Sequence, residues 1–63
     1  MNPGELVRIV EMHFGLGYNA KSYVLYPGDD GLVVENDNAT EILTLLISGE
    51  LMEVEERAVE ILR

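Results

Sequence analysis

Twelve carboxylates stand against four cationic side chains in 63 residues, a formal net charge of -8. That balance excludes a nucleic-acid or anionic-membrane surface, because counterion release and attraction to acidic lipid both need lysine and arginine. With no cysteine and one histidine there is no disulfide staple and no zinc set. At 48% hydrophobic residues the chain is too apolar to stay unfolded, and it is read as a single domain over residues 1–63.

Asn2 and Pro3 suit a helix cap and first turn. Leu6, Val7, Ile9, Val10, His13 and Phe14 fall on one arc at about 100° per residue. This spacing predicts a first helix over Pro3–Phe14, stopped by Gly15 and Gly17. Residues 20–26 and 32–35 are rich in β-branched and aromatic types, and Pro27-Gly28-Asp29-Asp30-Gly31 between them is turn chemistry, so the two segments read as a β-hairpin. Tyr23, Leu25 and Val33 then share the hairpin face turned away from the helices.

Asp37 or Asn38 caps a second predicted helix, Ala39–Ser48, with Ile42, Leu43, Leu46 and Ile47 on one side and Gly49 at its end. A third, Glu50–Leu62, carries an apolar stripe of Leu51, Val54, Ala58, Ile61 and Leu62. Glu53, Glu56 and Glu60 lie outside that stripe, and Met52 and Val59 flank Glu55 at its border. The expected fold is α+β, a small α-β-β-α-α domain in which a β-hairpin packs against three short helices.

None of the motifs carries chemistry. Gly15-Leu16-Gly17-Tyr18-Asn19-Ala20 matches the glycine pattern of a dinucleotide-binding turn, but it follows a helix-like segment instead of a strand and reads as a helix end. His13 reads as a packed histidine. Asp29-Asp30-Gly31 and Glu35-Asn36-Asp37-Asn38 collect oxygen ligands without calcium-loop spacing and read as turns and caps. The last two predicted helices imitate a helix-turn-helix, yet the second of them is acidic.

The functional expectation is a non-enzymatic acidic protein–protein interaction module without metal or cofactor. Its sharpest form is an inhibitor or adaptor whose carboxylates mimic nucleic-acid charge and block a basic nucleic-acid-handling protein, as phage and anti-CRISPR inhibitors do. The partner-binding residues in this reading are Glu41, Glu50, Glu53, Glu56, Glu60, Met52 and Val59, together with Tyr23, Leu25 and Val33 on the hairpin. The alternative is a small structural subunit that forms a homodimer or larger complex through the hairpin face. No basic leader, apolar signal core or membrane-length run is present, so a cytoplasmic location is expected.

Overall fold

Val7 and Ile9 are buried while Leu6, Arg8 and Val10 are exposed, a period of two that an extended strand produces and a helix does not. The same alternation recurs at Leu43, Leu45 and Ile47 and at Met52 and Val54. The computed structural model describes residues 1–62 and is all-β: seven strands and a single 3-10 turn. The strands are β1 (Leu6–Ile9), β2 (His13–Gly17), β3 (Ser22–Leu25), β4 (Asp30–Asp37), β5 (Ile42–Ile47), β6 (Glu50–Glu55) and β7 (Val59–Ile61). The 3-10 turn, Glu56–Ala58, separates the last two strands.

All pairings are antiparallel, and the strands form one sheet in the order β3-β2-β6-β5-β4-β1-β7. One face of this sheet is apolar and no second layer covers it, so the sheet must curl over its own inner face. The shape bears this out: a flat sheet would be thin, whereas the shortest dimension here is 19 Å against 28 and 24 Å for the others. Val7, Ile9, Val33, Leu43, Leu45 and Val54 fill the inside and are fully buried. Each contributes about 1.5–3 kcal/mol through burial.

Two local devices shape the sheet. β5 and β6 are joined by Ser48-Gly49 alone, with φ of 50° and 81° and Ile47 paired to Glu50. Positive φ at both central residues is a type I′ turn, whose twist matches that of the flanking strands. In β4 the register shifts between Val33 and Glu35. This bulge carries Glu35 and Asp37 to the outer face and turns Asn36 inward, reversing what plain alternation would give.

The three predicted helices are therefore corrected to strands. The segment Pro3–Phe14 holds β1 and the start of β2, Ala39–Ser48 holds β5, and Glu50–Leu62 holds β6, the 3-10 turn and β7. The two predicted strands exist as β3 and part of β4, but they do not pair. β3 lies on β2, and β4 lies between β5 and β1. Gly15 and Gly17 end no helix; both face the interior within β2, where a Cβ on Gly15 would come within 2.7 Å of Met52 Sδ. The backbone approaches that closely because no side chain intervenes.

Candidate functional site

Cross-strand register lines up one row of apolar side chains on the outer face. Leu6 is opposite Leu32, Leu32 opposite Leu46, and Leu46 opposite Leu51. The Tyr18 amide donates to the Leu51 carbonyl at 3.2 Å, which extends the row past the end of β2. Opposed side chains in a sheet are near neighbours, so these residues form one continuous ribbon. The ribbon is open to solvent: Leu6 is 57% exposed, Leu46 and Leu51 38% each, and Tyr18 61%. Phe14 and Val24, paired across β2 and β3, add a second exposed apolar patch on the same face.

Beside the ribbon runs a polar row of Glu53, Thr44 and Glu35, in register across β6, β5 and β4. Tyr18 leans over it, its hydroxyl 3.1 Å from Thr44 Oγ1, which leaves Thr44 buried although it faces outward. Between Tyr18 and the bulged end of β4 lies a cleft of about 610 Å³ lined by Glu35, Asp37, Thr40, Ile42, Thr44 and Glu53 among others. Asn36 also borders it. Its amide donates to the Met1 carbonyl, while its Oδ1 is buried without a partner among the described residues.

The cations of the described residues are mostly engaged elsewhere. Arg8 holds Asp30 through two hydrogen bonds of 2.8 and 3.2 Å, and Arg57 bridges Glu11 at 2.8 Å and Glu55 at 2.7 Å. Hydrogen bonding to Arg8 holds the Asp30 carboxyl below the usual carboxylate range and raises the guanidinium in turn. Glu35, Asp37 and Glu53 at the cleft have no ion pair among the described residues. An aromatic ring over uncompensated carboxylates is a setting that favours a lysine or arginine head group.

The residues singled out from sequence are dispersed. Met52, Val59, Leu25 and Val33 lie in the core and offer no surface; Tyr23 is half-buried against that core, its hydroxyl accepting a 2.8 Å bond from Asn19 Nδ2. Glu53 stands at the cleft, Glu50 follows the β5–β6 turn, Glu60 lies opposite Arg8 on β7, and Glu41 and Glu56 meet through a backbone bond of 2.9 Å. The expected row of Glu53, Glu56 and Glu60 along one helix face does not form, because no helix is there to align them.

The other motifs resolve into local chemistry. His13 is half-buried and accepts the Glu55 amide at 3.4 Å. Asp29 accepts the Tyr26 amide at 2.8 Å, Asp37 the Ala39 amide at 3.0 Å, and Asp30 pairs with Arg8. Those are turn and surface roles. Among the described residues no three of His, Cys, Asp and Glu are grouped to hold a metal ion, and no helix is long and apolar enough to cross a membrane.

Sequence reasoning missed the ribbon residues Leu6, Leu32, Leu46, Leu51 and Tyr18 as a set. One signal was available, and it reaches Tyr18 and the Phe14–Val24 patch but none of the four leucines: residues 12–28 contain none of the twelve carboxylates and all four aromatic residues. Interface centres are depleted in charge and enriched in aromatics. Comparison of the chain with protein-family models, curated proteins and solved structures finds no match to any of them.

Proposed function

We propose that this chain is a non-enzymatic interaction module of the adaptor or inhibitor kind, working in the cytoplasm, and that it docks a basic protein on the outer face of its sheet. The observation that carries the reading is the exposed ribbon from Leu6 through Leu32, Leu46 and Leu51 to Tyr18. Several leucines side by side on a small surface lose free energy to water unless something covers them. The carboxylates of Glu35, Asp37 and Glu53 next to the ribbon, without an ion pair among the described residues, favour a cover that brings lysine or arginine. A second copy, with its own charge of -8, is the poorer match for this acidic border.

The test is affinity capture with the intact chain at low and raised salt, followed by a measured Kd for the identified partner against wild type and Leu46→Lys. Leu46 faces outward, so the variant leaves the core alone. The expected result is a basic partner whose affinity falls at least about tenfold with the variant and weakens with salt, while the variant keeps the wild-type circular dichroism. A partner held equally well by Leu46→Lys would remove the outer face from consideration.

A further inference from the structure

The two ends of the sheet are unequal. β7 is three residues long and centred on Glu60, so pairing it with itself would set one carboxylate against another. β3 lies at the opposite edge, within the carboxylate-free segment 12–28. The Gly17 amide donates to the Lys21 carbonyl at 2.8 Å, which fixes the phase of the β2–β3 ladder. Lys21, Tyr23 and Leu25 therefore turn their backbone groups toward β2, and Ser22 and Val24 turn theirs outward. Among the described residues these outward groups have no strand beside them.

We propose that two copies of this chain pair through β3, antiparallel, about a two-fold axis at Tyr23. Ser22 of each copy then lies opposite Val24 of the other, and each such pair exchanges both of its hydrogen bonds. Tyr23 meets Tyr23 across the axis as an aromatic cross-strand pair. The charges fit as well. In this register Lys21 stands opposite Leu25 of the second copy, on the same side of the sheet as the groove of about 340 Å³ that Tyr23, Leu25, Asp29, Glu50 and Met52 help to line. Lys21 has no ion pair among the described residues. It enters the second copy's groove between the carboxylates of Asp29 and Glu50, and symmetry repeats the contact. The two Lys21 are kept apart by four residues of strand, roughly 14 Å, beyond the Debye length of physiological salt.

This inference does not rest on the docking reading, since β3 pairing uses the sheet edge and leaves the ribbon open. Sedimentation equilibrium tests it. The wild type is expected at twice its 7.0 kDa mass by high micromolar concentration. Val24→Pro removes an amide that only the second copy uses, and should return the chain to 7.0 kDa with its circular dichroism unchanged. Lys21→Glu, at an exposed position, should weaken the dimer by about tenfold or more, and adding Glu50→Lys to it should restore most of the loss. A monomeric wild type overturns the proposal. So does a dimer that survives Lys21→Glu at full strength, which would place the contact on another face.

Discussion

Among single residues, the Arg8–Asp30 pair has the most direct consequence for pH. The hydrogen bond from Arg8 lowers the Asp30 carboxyl in the folded chain relative to the unfolded one, whose value is about 3.9. A group with a depressed folded pKa adds stability that is present above its unfolded pKa and lost as pH falls through the folded one. The urea midpoint of the wild type should therefore drop faster than that of Asp30→Asn below about pH 4, and the gap between the two at pH 7 should close in acid. Both side chains are open to water, so the gap will be small. Parallel curves for the two proteins would show that the pair adds nothing.

At the level of elements, the β5–β6 turn shows how a dipeptide sets a register. Ser48 sits at φ 50°, a conformation that asparagine and glycine adopt more readily than serine. Ser48→Asn should raise stability by up to about 1 kcal/mol, and Gly49→Ala, at φ 81°, should lower it by about 1 kcal/mol or more, both read from chemical denaturation. A loss on Ser48→Asn would argue against a type I′ turn. The strands on either side of this turn also explain why the sequence reads as helix. In Ile42–Ile47, Leu43, Leu45 and Ile47 point inward, but Leu46 fills an outward position where a polar residue would have marked the alternation. A short apolar run of that kind fits either period. In β1, Leu6 does the same beside Val7 and Ile9. The exposed leucines that make up the ribbon are thus the residues that hid the strands, and fold and site were obscured together. β3 and half of β4 were legible because β-branched and aromatic residues lie between clear turn signals; their pairing was not, since β3 pairs with β2 and β4 with β5 and β1, all three of which read wholly or in part as helix.

The whole molecule has one core and little in reserve. A chain of 63 residues is stable by about 3–9 kcal/mol, on the usual scale of 0.05–0.15 kcal/mol per residue. Leu45 is fully buried at the centre of the sheet, and truncating such a residue costs about 2–5 kcal/mol. Leu45→Ala should therefore remove a large share of the total, bringing the loss of tyrosine near-ultraviolet dichroism to a much lower urea concentration than in the wild type. Leu46→Ala, its outward neighbour, should cost under about 1 kcal/mol. Equal losses would mean the two faces of β5 have been assigned wrongly. What the sequence by itself determined was the chemistry available: a small acidic domain without thiols, a poor surface for phosphate, an aromatic segment free of carboxylates, and turn residues at Pro27-Gly28 and Ser48-Gly49. Composition and dipeptides are local properties, and they survive any choice of fold. Only the tertiary structure decided which apolar residues are inside. Inward and outward leucines are chemically identical, and it is the pairing of β5 with β4 and β6, in a sheet curled over one face, that buries Leu45 and leaves Leu46 outside, while the bulge at Val34 re-aims Glu35.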